Sequence, residues 1–130
     1  MTELDVEVLG AALPAEQVRR ACVLAAATAG VREGHVAVAF VDAAAIAALN
    51  AEHRGRPGPT DVLSFPVDGV GRLSGPPALR ELGDVVICPE HTTDLTEAVV
   101  HGVLHLVGMD HEADEGEMLA LQAEVVGWIR

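Results

Sequence analysis

The run HGVLHLVGMDH, residues 101–111, carries three of the chain's six histidines at the spacing H-x3-H-x5-H. His101 and His105 stand four residues apart, which puts both on one face of a helix. Gly108 tolerates positive φ and can end that helix. The turn through Met109 and Asp110 then swings His111 back towards the first two. Three converging neutral imidazoles suit Zn²⁺, one ion per chain, and leave a fourth position open for water. The competing reading of such a pair is packing or surface. Against it stand Leu95, Ala98, Val99, Val100, Val103, Leu104, Leu106 and Val107, which make the helix apolar nearly all round and therefore buried. Buried imidazoles without partners would cost roughly 1–3 kcal/mol each, and a metal removes that cost. His101, His105 and His111 are the expected metal ligands, on a buried helix and the turn after it.

Upstream, Asp94 followed by Glu97 three residues later resembles a capping box that opens this helix. Leu82 to Cys88, LGDVVIC, is an apolar run suited to the interior of a sheet. The segment from Asp68 to Arg80 holds Gly69, Gly71, Gly75, Pro76 and Pro77 and reads as a mobile loop. Val62 to Phe65 reads as a short strand stopped by Pro66, after a loop whose Gly and Pro residues at 55–59 prevent regular structure. Earlier still, Asp42 caps an alanine-rich helix running to about Asn50, and His35 to Val41 is a strand with His35 at its end, read as surface. Pro14 opens a helix over about Ala15 to Ala29, with Val18, Ala21, Cys22, Ala25 and Ala26 on one stripe and Gly30 just past its end. Asp5 to Leu9 alternates as a first strand. Beyond His111, Glu112, Asp114, Glu115 and Glu117 suit the first turn of a last helix, whose buried stripe is Met118, Leu121, Val125 and Ile129. The order βαβα–β–β–αα predicts an α+β fold: a single domain, residues 1–130, with a mixed four-stranded sheet packed with helices.

The formal charge is −12, from 20 acidic and 8 basic residues, every basic one arginine. Such acidity makes non-specific nucleic-acid binding weak, so any RNA contact must rest on a local patch, for which Arg54 and Arg56 are the candidates. No apolar run is long enough to span a membrane, and the acidic start MTELDVEVLG lacks the basic opening of a signal peptide. Cys22 and Cys88 form no close-spaced pair, which predicts free thiols and a cytoplasmic protein.

With the segments placed, the chain resembles the YbeY family, bacterial metal-dependent endoribonucleases that process ribosomal RNA. HGVLHLVGMDH looks like the family's HGxLHLxGYDH zinc motif, which carries His101, His105 and His111 over as ligands. RGRPGPTDVLSFP, residues 54–66, looks like the block in which an arginine precedes T-D-V-L-S-F-P, which carries Arg54 over as the active-site arginine. LGDVVIC looks like the strand leading to the metal helix. The likeness runs from about Leu49 to the last helix. Met109 stands where tyrosine is usual, and His53 where an aromatic usually precedes the arginine. Only twelve residues separate Cys88 from His101, where the family normally has a longer, largely helical segment; the crossover from sheet to helix must therefore differ. The resemblance implies a YbeY-like metallo-endoribonuclease domain, zinc-dependent and single-strand-specific, acting in 16S rRNA 3′-end maturation and ribosome quality control. Its implied partners are single-stranded ribosomal RNA, the small ribosomal subunit and ribosome-associated proteins.

The spacing of the histidines, Gly108 included, is also that of zincin proteases with an H-E-x-x-H-x-x-G-x-x-H run, but the glutamate that serves them as general base is here Gly102. That counts against peptide hydrolysis. In phosphodiester cleavage the charge to be stabilised lies on phosphate oxygens, which the planar, always-charged guanidinium of Arg54 suits; its bland alternative is a surface ion pair with Glu52 or Asp61. Asp110 is equally a partner for a ligand histidine and a turn residue. Ser64 and Thr60 are equally cleft-lining and packing residues. For His53, beside the substrate, and His91, beside the metal rim, surface placement is the stronger reading. Two other functions remain open on the sequence: a metal-dependent hydrolase of another class, and a non-catalytic ribosome-assembly factor with a structural zinc.

Overall fold

The computed structural model describes residues 3–67, 81–109 and 116–129. Its elements in chain order are β1 (Glu3–Leu9), α1 (Ala15–Thr28), β2 (Glu33–Phe40), α2 (Ala43–Arg54), β3 (Val62–Pro66), β4 (Glu81–Ile87), a 3₁₀ turn (Pro89–His91), α3 (Leu95–Leu106) and α4 (Glu117–Ile129). The strands form one sheet in the order β1-β2-β4-β3. β1, β2 and β4 are mutually parallel, and β3 runs antiparallel to β4. This is the α+β fold with a mixed four-stranded sheet that the sequence predicts.

Because successive strand residues face opposite sides, β4 serves two cores. Val85 and Ile87, together with Leu82, which the register shift opposite His35 and Val36 leaves out of the alternation, join Val36, Val38 and the apolar stripes of α1, α3 and α4 in the larger one. Val86 and Cys88 point the other way, to a smaller cluster with Leu63 of β3 and Ile46 of α2. A strand with neighbours on both edges and helices on both faces has little polar surface to show, which is why LGDVVIC reads as a nearly continuous apolar run. β3 is an edge strand, where Pro66 removes no ladder bond that the sheet needs.

Two features seat α3 on the sheet. Gly102 faces β4 so closely that a Cβ there would collide with the Val85 side chain. The Ser64 hydroxyl on β3 donates to the Gly102 carbonyl at 3.1 Å. Asp94 caps the helix, its Oδ1 accepting from the Glu97 N–H at 3.1 Å, and Asp42 caps α2 through the Ala45 N–H at 2.8 Å. Gly108, with φ 102°, follows the last turn of α3. The crossover from β4 to α3 is made by the 3₁₀ turn at Pro89–His91, where the Thr92 hydroxyl donates to the Cys88 carbonyl at 2.7 Å.

Some expectations need correction. α2 continues a full turn beyond Asn50 to Arg54, because the helix breakers begin only at Gly55, which takes φ 65° and donates its N–H to the Asn50 carbonyl. His35 is not a loose surface residue at a strand end: β2 starts at Glu33, and His35 is half-buried beside β1 and β4. In α4 the buried face holds Met118, Gln122, Val125 and Val126, whereas Leu121 and Ile129 are only half-buried. The loop at 68–80 and the turn with Asp110, His111, Glu112, Asp114 and Glu115 lie outside the described residues. Among the described residues no helix is long and apolar enough to cross a membrane.

Candidate active site

The helical spacing of His101 and His105 does bring their rings together: the centroids are 4.7 Å apart and the two Nε2 atoms 3.2 Å apart. Their other nitrogens are fixed by oxygen acceptors. His105 Nδ1 donates to the Met109 carbonyl at 2.9 Å, and His101 Nδ1 donates to Oε1 of Gln122 at 2.7 Å. An imidazole that donates from Nδ1 presents a lone pair at Nε2 when neutral. The two Nε2 atoms therefore face each other at a distance that a shared proton or a metal ion between them would suit. Two imidazole nitrogens bound to one tetrahedral zinc at roughly 2.0–2.1 Å stand about 3.3–3.4 Å apart. The observed separation of 3.2 Å fits that geometry. Neutral rings locked through their second nitrogen are also the usual state of metal-bound histidines.

Among the described residues no three His, Cys, Asp or Glu side chains are grouped to hold a metal. His111, the third expected ligand, lies outside the described residues, as does Asp110. Gln122 is the residue that sequence reasoning missed. It sits on the buried face of α4 with 9 % exposure. A polar residue four positions after Met118 on an otherwise apolar face was the available signal.

His101 and His105 open onto a cleft of about 530 Å³, whose other walls include His53, Arg54, Thr60, Asp61, Ser64, Phe65 and Pro66. Arg54 comes from the last turn of α2, where a cation also complements the helix dipole. Among the described residues it makes no ion pair, with Glu52 or Asp61 in particular. The loop after it is tied down by Asn50, whose Nδ2 donates to the Gly58 carbonyl at 3.0 Å. Asp61 holds the start of β3: its Oδ1 accepts from the Val62 N–H at 2.8 Å and its carbonyl accepts from the Cys88 N–H at 2.9 Å. Ser64 and Thr60 line the cleft, and Ser64 also serves packing through its bond to Gly102. On the other side of His101 a second cleft, about 360 Å³, is lined by His91, Asp94, Glu97 and Gln122 among others; His91 is exposed there. Gly102 points away from both clefts into Val85, so α3 has no room for a zincin-type glutamate at that position.

The same reach of chain is covered by a family model described as Endoribonuclease YbeY, which matches residues 7–129. The chain belongs to the YbeY family. The match begins in β1, well upstream of the motifs at Leu49 and beyond. A YbeY endoribonuclease of Rubrobacter xylanophilus is 40% identical over 127 residues, covering 93% of this chain and 89% of that protein. One from Leifsonia xyli is 39% identical over 115 residues, covering 75% of each. In three dimensions the chain is similar to a Thermotoga maritima protein solved in solution, with TM-score 0.57, 25% identity, and 95% of this chain and 88% of that one covered. Arg54, His101, His105 and His111 all fall within the residues that the family model matches.

Proposed function

We propose that this chain is a zinc-dependent, single-strand-specific endoribonuclease that acts in 16S rRNA 3′-end maturation and ribosome quality control, with His101, His105 and His111 as zinc ligands. Membership of the Endoribonuclease YbeY family supports RNA cleavage as the reaction. The observation that carries the metal reading is the pair of Nε2 atoms converging at 3.2 Å, with both Nδ1 atoms donating elsewhere. A bound zinc supplies Lewis-acid activation of water and of a phosphoryl oxygen. The protein's own residues do the rest. Gln122 and the Met109 carbonyl fix the imidazole tautomers and ring orientations. Arg54, across the same cleft, holds a phosphate by paired N–H donors and stabilises the charge that grows on its oxygens. With a net charge of −12, binding to isolated RNA should be weak and salt-sensitive, which favours recruitment by protein contacts on the small ribosomal subunit.

The test combines metal content and cleavage. The purified protein should carry about one zinc per chain, and His105→Ala should lose most of it. Arg54→Ala should keep its zinc and its melting curve, yet cleave a single-stranded rRNA fragment about 10²–10³-fold more slowly. Arg54→Lys should recover only part, since an ammonium cannot reproduce the planar fork. Full cleavage by Arg54→Ala would remove its catalytic role. A zinc-loaded protein that cleaves nothing, alone or with ribosomal subunits, would favour an assembly factor with a structural zinc.

A further inference from the structure

Aromatic residues are scarce in this chain: two Phe, one Trp and no Tyr. Phe40 packs against the larger core, and Trp128 is exposed on α4. The remaining one, Phe65, lies on the edge strand β3, half-buried, in the wall of the cleft that His101, His105 and Arg54 share. His53, from the last turn of α2, meets it: the ring centroids are 4.9 Å apart and the planes are inclined at 63°. His53 is exposed, so the contact fills no core.

We propose that His53 and Phe65 form a stacking platform for one nucleobase of a single-stranded RNA substrate, beside the phosphate site of Arg54. The proposal rests on the endoribonuclease reading of the same cleft. Two rings inclined at 63° make a corner. A base lying flat on one ring meets the other edge-on, and both arrangements are favourable for aromatic pairs. His53 and Arg54 are adjacent in the chain, so the base and the phosphate of one nucleotide would be met by consecutive residues. The cleft, about 530 Å³, is within the range that accepts a ligand of that size.

Charge gives the platform its purpose. The chain carries −12 and only eight arginines, so phosphate contacts contribute little affinity. Stacking on an aromatic face does not depend on net charge and tolerates any base. It also selects single strands, because only an unstacked base can be inserted. The cleft on the far side of His101 is lined by Asp61, Asp94, Glu97 and His91 and by no Phe or Trp. The platform is therefore one-sided, and one base position should matter more than the rest.

The experiment measures binding apart from cleavage. A fluorescein-labelled, cleavage-resistant 2′-O-methyl RNA hexamer is titrated with the purified protein, and the six bases are removed in turn. Removal at one position should weaken binding about tenfold, the ordinary contribution of one stacked base, and removal elsewhere should change it little. His53→Ala should weaken the intact hexamer similarly and make that position insensitive to base removal. His53→Trp should restore the sensitivity. Phe65→Ala opens the Leu63–Val86 cluster and is read only beside its melting curve. Uniform sensitivity along the hexamer, or an unchanged affinity in His53→Ala with rRNA cleavage intact, overturns the platform and leaves the endoribonuclease standing. A protein that neither binds nor cleaves any RNA overturns both.

Discussion

At the scale of single residues, the meeting of His101 and His105 was legible, because a four-residue spacing puts both rings on one face of a helix. Their partners were not. The Met109 carbonyl is a backbone group, and no side-chain pattern reports it. Gln122 comes from another helix, and one polar residue in an apolar stripe does not say which neighbour it serves. Its amide oxygen holds the His101 Nδ1–H at 2.7 Å in a buried setting. Gln122→Leu keeps the volume but strips the acceptor, freeing His101 to turn or to change tautomer. Partners of ligand histidines are worth about 10–100-fold in metal affinity. We expect zinc affinity, measured by competition with a chromogenic chelator, to fall by about that factor, with the metal-free melting curve little changed. An unchanged affinity would reduce the bond to packing. The role proposed for Arg54 rests on the family motif; without it a surface ion pair with Glu52 or Asp61 was the stronger reading, and neither pair forms among the described residues.

Among the elements, the breakers and caps were the most readable features. Asp42 and Asp94 accept from the backbone N–H three residues on, as their sequence positions predict. The end of α2 was read a turn too early, since Ala51–Arg54 carries no breaker and only Gly55 stops it. That turn puts Arg54 and His53 on a rigid helix end and not on a loop, which improves their positioning. Gly102 was read only as the missing base of a protease, whereas its structural reason is proximity. Packing between helix and sheet is set by pairs of residues far apart in sequence, and Val85 is the partner that no local pattern names. Adding one methyl at Gly102 drives it into Val85, and overpacking of this kind costs typically about 1–3 kcal/mol. Gly102→Ala should therefore shift the urea midpoint downwards, although alanine's better helix propensity returns up to about 1 kcal/mol of that cost. Equal stability of Gly102→Ala and the unmutated protein would mean that α3 can move off β4 freely, against the Ser64 bond that ties them.

His35 couples the stability of the whole molecule to pH, and the proposed zinc site would do so with the opposite sign. His35 sits between strands: Nδ1 bonds both carboxylate oxygens of Glu81 at 2.8 and 2.9 Å, and Nε2 lies 3.4 Å from Glu7. The hydrogen bond to Glu81 raises its pKa above the ordinary value; partial burial opposes this, and the charges of Glu81, Asp5 and Glu7 add to the rise. A raised folded-state pKa means that the folded protein binds this proton more tightly than the unfolded chain does. The stabilisation is complete below the unfolded value, about 6.5, and disappears as pH climbs through the folded one. Zinc bound as proposed would act with the opposite sign, because ligand imidazoles must be neutral, so its contribution would fade as pH falls. The two separate experimentally. In chelator, His35→Gln should lower the melting temperature more at pH 6 than at pH 8.5. The gap between zinc-loaded and chelated protein should instead widen from pH 6 to pH 8. His35 is partly exposed, so its share should also shrink in high salt. If His35→Gln cost the same at both pH values, the carboxylates around it would be neighbours without a proton-linked role. If zinc stabilised the protein equally at pH 6 and pH 8, its ligands would have to be other than imidazoles.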